Sequence, residues 1–113
     1  ELMIAYAYDM TSRVNPLGFF GMVHVLEGTS IAMADAAADA IEQKLALPKA
    51  AFSYLRSHGS LDQDHVKFFE SLMDKITDEH EQQLILDAAK MFFTLYGNIF
   101  RTLTRQHGIA QAA

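Results

Sequence analysis

Two histidines and an aspartate lie close together in the stretch HGSLDQDH, which covers residues 58–65. In a continuous α-helix His58, Asp62 and His65 fall on one face, within about 60° of one another. The same face continues into apolar residues, so we expect it to be buried. An unpaired buried carboxylate costs several kcal/mol, and such a group is normally paired, protonated or bound to a metal.

Glu27 is a second polar residue on an apolar face. Its neighbours along that face of the predicted helix include Val23, Ile31 and Ala34. Carboxylates and imidazoles that project inward from facing helices build the non-haem iron and manganese sites of helical bundles. The candidate metal ligands are four residues that together offer two carboxylates and two imidazoles: Glu27, His58, Asp62 and His65.

Each of these residues also has a purely structural explanation. A core histidine is often satisfied by a backbone carbonyl, and Asp62 and His65 could stabilise the first turn of a helix. Glu27 could pair with an arginine. The coincidence of four such groups on inward faces favours a metal. We expect His24 to lie in the core or beside the ligands, and His80 to be exposed.

The composition narrows the classes of function. A chain of 113 residues is long enough for one domain, and a 50% hydrophobic composition is typical of a globular protein. The net charge of −5 argues against nucleic acid as a partner. Without cysteine the chain has no thiolate metal site. No uncharged apolar run is long enough to span a membrane, and we expect a cytoplasmic protein that does not bind membranes.

The sequence pattern predicts an all-α fold, a helical bundle of four to five helices in a single domain over residues 1–113. Asn15 is a good N-cap and Pro16 suits the first helical position. Gly59-Ser60 predicts an interruption, because Ser60 and Gln63 match a capping box. Thr77 is expected to cap the last helix, with Gly108 ending it. The predicted helices cover 2–13, 16–47, 49–58, 61–76 and 77–105.

The run NPLGFFGMVHVLEGTS, followed by HGSLDQDH, resembles the haem-oxygenase-like di-iron oxidase superfamily. This group of iron-containing redox enzymes is related to the TenA, PqqC and CADD proteins. The family pattern has a glutamate in an LEG context about thirty residues before H-x-x-x-D-x-x-H. Here those positions are Glu27 and His58, Asp62 and His65, which the resemblance implies are metal ligands.

The resemblance further implies two ferrous ions, with manganese as an alternative, and activation of dioxygen to oxidise a small organic substrate. Family members run to roughly twice this length, and an N-terminal helix adds a glutamate and a histidine. We therefore expect the C-terminal half of a haem-oxygenase-like domain, carrying four of six ligands. We identify no separate catalytic or organic-cofactor residues.

Two other functions stay open. One is a metal-free helical module for oligomerisation or interaction, whose buried polar groups only fix packing. The other is a protein of TenA or PqqC type without a working metal site, although no cysteine nucleophile is available for it. Apolar residues on several sides of the segment 16–34 predict a homo-oligomer, or pairing with a missing N-terminal segment.

Overall fold

The computed structural model describes the backbone of residues 1–110 and the side chains of residues 1–57 and 64–103. This part of the chain is all-α, as predicted, with 90% of the residues helical. Four α-helices carry the fold: α1 (Leu2–Asp9), α2 (Phe19–Leu45), α3 (Ser53–Met73) and α4 (Glu79–Ala110). Short segments join them: a π-helical turn at Met10–Val14 and 3-10 turns at Pro16–Gly18 and Lys49–Phe52.

The contacts divide the chain into two compact units, Glu1–Met22 with Asp78–Ala113, and Val23–Thr77. The prediction of a single domain stays a prediction.

The first unit is built around Phe92 of α4, which is fully buried. The ring of Tyr6 packs edge-on against Phe92, with the ring centres 4.9 Å apart. Gly21, at the start of α2, lies against the backbone of α4: a Cβ at this position would be 2.5 Å from the backbone nitrogen of Ala89. Only glycine therefore allows this close approach of the two helices.

The segment that leads into α2 has the N-cap and the proline that the sequence predicts. Asn15 has extended backbone, and its side-chain oxygen accepts a hydrogen bond from the backbone N–H of Leu17 at 2.9 Å. Pro16 occupies the first helical position, where its missing N–H costs nothing. The predicted cap is confirmed.

The second unit contains the antiparallel pair formed by most of α2 and α3. Its buried apolar residues include Ala34 and Ala38 on α2, Phe69 on α3, and Phe52 in the preceding turn. The predicted interruption at Gly59-Ser60 is wrong, because α3 runs without a break from Ser53 to Met73. A mid-helix glycine costs only about 1 kcal/mol, which packing elsewhere on the helix can offset.

Two predictions about α4 are also wrong. The side chain that caps it belongs to Asp78 and not Thr77: Oδ1 of Asp78 accepts hydrogen bonds from the backbone N–H groups of His80 and Glu81, at 2.9 and 3.0 Å. The helix also continues past Gly108 to Ala110. Both errors lie at helix ends, where neighbouring residues offer similar capping chemistry.

Several large apolar side chains are exposed to solvent. Phe93 is 63% exposed and Phe68 is 64% exposed, and Met33 and Met91 are also exposed. Periodicity shows that a helix has an apolar face, but not whether another element covers that face.

Among the described residues, one segment, Pro16–Leu45, has the length and composition of a membrane-crossing helix. Its most apolar window has a mean hydropathy of 1.3. A single segment of this kind is weak evidence, because core helices of soluble proteins meet the same criterion. The expectation that the chain does not bind membranes stays a prediction.

Candidate metal site

Contacts between α2 and α3 fix how the two helices face each other. His24 stacks on Phe69, Glu27 faces His65, and Arg56 bonds to Asp39. Residue numbers rise along α2 as they fall along α3, so the two helices run antiparallel through this stretch. Glu27 and His65 therefore meet because they lie at the same level of the pair.

The carboxylate of Glu27 and the imidazole of His65 are close but not hydrogen-bonded. Oε1 of Glu27 lies 3.8 Å from Nδ1 of His65, beyond the 3.2 Å limit of an ordinary N–H···O bond. Two donors that each bind one ion at about 2 Å lie at most about 4 Å apart. The observed separation is below this upper limit, so a shift of either side chain by less than about 1 Å would place both donors on one ion as neighbouring ligands.

The donor set also suits iron. Carboxylate oxygens and imidazole nitrogens are the ligands that non-haem iron and manganese sites use in helical bundles. The side chain of Glu27 is 30% exposed and that of His65 is 58% exposed. Both side chains are thus partly exposed to solvent on the helices that carry them.

Two aromatic rings stack beside Glu27 and His65. His24 lies one turn before Glu27 on α2, and Phe69 lies one turn after His65 on α3. The rings of His24 and Phe69 stack with centres 5.8 Å apart and planes inclined by 25°. Phe69 is buried. Of the two positions expected for His24, the core is excluded because His24 is exposed, and the position beside the candidate ligands is the one that the structure shows. This stacked pair supplies an apolar boundary next to Glu27 and His65.

Position 58 lies on α3 two turns before His65, and position 62 lies one turn before it. Because α3 is continuous, the three positions share one helical face, as the H-x-x-x-D-x-x-H spacing requires. The side chains of His58 and Asp62 lie outside the described residues, so their role as ligands stays a prediction. Among the side chains that are described, no three histidines or acids form a group able to hold a metal.

Two structural explanations of the polar residues do not fit the fold. The helix that carries His65 begins at Ser53, so neither position 62 nor position 65 belongs to its first turn. The arginines with described side chains bond elsewhere: Arg13 to Asp9, Arg56 to Asp39 and Glu42, and Arg101 to Asn98.

A charged cluster that sequence reasoning missed also links α2 to α3. Nη2 of Arg56 donates to Oδ1 of Asp39 and to Oε2 of Glu42, both at 2.8 Å. These hydrogen bonds raise the pKa of Arg56 above its ordinary value. The cluster borders an open cavity of about 580 Å³ that Gln43 and Lys49 complete. No local spacing links Asp39 and Glu42 to Arg56, so no sequence signal could have found the cluster.

The described part of the chain is all-α, and a carboxylate and an imidazole face each other between two of its helices. The chain belongs to the iron-containing redox enzyme family, whose pattern matches residues 1–97. Its fold is therefore of the haem-oxygenase-like class. Comparison with curated proteins and with solved structures gave no significant match.

Proposed function

We propose that this chain forms part of a non-haem di-iron oxidase, with Glu27, His58, Asp62 and His65 as metal ligands. The observation that carries the proposal is the 3.8 Å separation of the Glu27 and His65 donors on facing helices. Family membership supports iron as the metal, and manganese is the alternative with similar ligand preferences. The two further ligands of a di-iron site would come from outside residues 1–113.

Iron bound by this set would supply dioxygen activation for the oxidation of a small organic substrate. Glu27 contributes a negative charge that offsets the charge of a divalent ion. His65 contributes a neutral nitrogen donor at Nδ1, so ligation requires that nitrogen to be deprotonated. The buried ring of Phe69, stacked on His24, would lie beside the two donors and restrict the room for a substrate on that side.

Thermal unfolding tests whether iron binds the folded chain, because a ligand of the folded state raises stability by mass action. Anaerobic ferrous iron at 100 times its Kd should stabilise the chain by about 2.7 kcal/mol. A chelator should reverse the shift. His58→Ala and Asp62→Ala should each reduce it, which extends the test to the two ligands whose side chains are not described. A shift in both variants equal to that of the wild type would contradict the proposed set.

Dioxygen consumption tests the oxidase part of the proposal separately. Together with the segment or chain that supplies the two further ligands, the iron-loaded protein should consume dioxygen faster than the same concentration of free ferrous iron, and His65→Ala should remove the difference. If that complete protein binds iron without accelerating the reaction, the oxidase assignment is wrong.

A second candidate is a metal-free helical module, which the exposure of the two donors favours. With His65 58% exposed, the pair also has the geometry of a weak surface ion pair, which contributes about 0–1 kcal/mol. This function predicts that unfolding is the same with iron and with chelator. A chelator-sensitive melting temperature would exclude it.

A further inference from the structure

The candidate ligands on α3 occupy one stretch of that helix, from position 58 to His65. A side-chain contact holds α3 against α2 on each side of this stretch. After it, Phe69 is buried and stacks on His24. Before it, Arg56 bonds to two carboxylates of α2. Both contacts therefore bear on where the ligand positions lie.

The start of α3 lacks two common sources of helix stability. Its N-cap residue, Phe52, makes no side-chain cap hydrogen bond, and its first turn contains no acidic residue. Gly59 lies within the same helix, beside position 58, and glycine lowers helix stability relative to other residues. The turns that lead to the first ligand position therefore need support from another element.

Arg56 provides such support through its contact with α2. It is the fourth residue of α3, near the positive end of the helix dipole, where a further positive charge is unfavourable. The carboxylates of Asp39 and Glu42 offset that charge, and Nη2 of Arg56 donates to both at 2.8 Å. The side chain of Glu42 is 25% exposed and that of Arg56 is 37% exposed. Salt therefore screens this pair less than a fully exposed one.

The two acceptors restrain α3 in more than one direction. Asp39 and Glu42 lie three residues apart, so they are neighbours on one flank of α2. A guanidinium that bonds to both is fixed along the axis of α2 as well as across it. A shift of α3 along α2, or fraying of its first turns, would lose one bond or both.

We propose that Arg56 is a positioning residue of the metal site. Held by Asp39 and Glu42, it keeps the first turns of α3 helical and docked on α2. The three candidate ligand positions of α3 then stay on one helical face. Arg56 acts through the helix and is not itself a ligand. The inference rests on the proposed function and adds to it a residue outside the ligand set on which iron affinity depends.

Amide hydrogen exchange tests this anchor in the absence of metal, because it reports local opening of a helix. Arg56→Ala should raise the exchange rates of the amides of residues 57–62 at least tenfold and leave those of residues 66–73 unchanged. Arg13→Ala is the matched control: it breaks an ion pair with Asp9, four residues away, and should change neither segment. Unchanged exchange over residues 57–62 in Arg56→Ala would overturn the proposal.

Iron affinity tests the positioning role itself. Removal of a positive charge would by itself favour the binding of a cation, whereas loss of a positioning contact weakens it. In anaerobic equilibrium dialysis, Arg56→Ala should bind ferrous iron at least fivefold more weakly than the wild type, with the same helical content. A contact that only adds stability would leave this affinity unchanged, because the folded fraction of both proteins stays close to one.

Glu42→Gln is a second variant that keeps the size of the side chain and removes its charge. It should cause part of the same loss of iron affinity, and it should cause little further loss in the Arg56→Ala background, because the two residues act as one contact. Losses that simply add would contradict the shared role.

Failure of this inference is distinguishable from failure of the proposed function. If the wild type binds no ferrous iron, the proposed function is wrong and the positioning role falls with it. If the wild type binds iron and Arg56→Ala binds it equally well or more tightly, the ligand set stands and only the role of Arg56 is overturned.

Discussion

Oε1 of Glu27 on α2 lies 3.8 Å from Nδ1 of His65 on α3. The two residues come together because the helices are antiparallel, with the His24–Phe69 stack on one side of the pair and the Arg56 cluster further along. At this distance the two donors are too far apart for an ordinary hydrogen bond, and a small movement of either side chain would place both on one ion. The metal-binding proposal depends on this relationship.

Two glycines of α2 should respond in opposite ways to the same substitution. Gly21→Ala should lower the free energy of unfolding by about 1–3 kcal/mol, because the new methyl group meets the rigid backbone of α4. A methyl group added at Gly28 would meet no heavy atom within 4 Å, so Gly28→Ala should raise stability by up to about 1 kcal/mol. Urea unfolding of both variants checks the prediction. Equal changes would mean that α2 and α4 do not pack closely at Gly21.

Ala46, which follows α2, adopts a φ of 50°. This left-handed conformation is unfavourable for a residue with a Cβ and natural for glycine. Ala46→Gly should therefore raise the free energy of unfolding by about 0.5–1 kcal/mol. Ala36→Gly, at an exposed position inside the same helix, should lower it by about 1 kcal/mol. Chemical unfolding of the two variants measures both changes, and a loss of stability in both would show that the left-handed turn is absent.

Tyr6 should make stability depend on pH in the alkaline range. Burial raises the pKa of Tyr6 above its usual value of 10.0, and the carboxylates of Asp87 and Asp9 raise it further. The folded chain then holds the phenolic proton more tightly than the unfolded chain. Its contribution to stability is full below about pH 10 and is lost as the pH rises through the folded pKa.

Urea unfolding across the alkaline range, from about pH 8 to about pH 11, checks the Tyr6 prediction. Tyr6→Phe should flatten the decline at the alkaline end, whereas Tyr8→Phe should not, because Tyr8 is 71% exposed. An unchanged decline in Tyr6→Phe would assign the effect to other groups.

Local chemistry was enough to predict several features of the fold. Asn15 and Pro16 specify a helix start within a few residues, and the structure shows that start. The all-α class followed from helical periodicity without any strand pattern. The mistake at Gly59-Ser60 has a physical reason: a glycine and a capping-box pattern disfavour a continuous helix only weakly, and packing of the rest of α3 outweighs them.

Features that depend on contacts between distant segments were beyond local reasoning. Nothing near Arg56 in the sequence indicates that it bonds to Asp39 and Glu42. The exposure of Phe93 likewise depends on which helices meet α4 and not on its own periodicity. The family resemblance predicts that Glu27 and His65 belong to one site, but only the antiparallel packing of α2 and α3 shows how far apart they lie.

The central claim is that Glu27 and His65 bind iron. Anaerobic equilibrium dialysis against ferrous iron, with metal analysis of the protein, measures this directly. The matched controls are Glu70→Gln on the exposed surface of α3 and His80→Ala on α4, both of which leave the candidate ligands intact.

We expect wild type and both controls to bind ferrous iron with the same affinity. Glu27→Ala and His65→Ala should each weaken binding at least 100-fold while keeping the helical content of the wild type. Equal affinity in all five proteins, or no bound iron in the wild type, would contradict the claim.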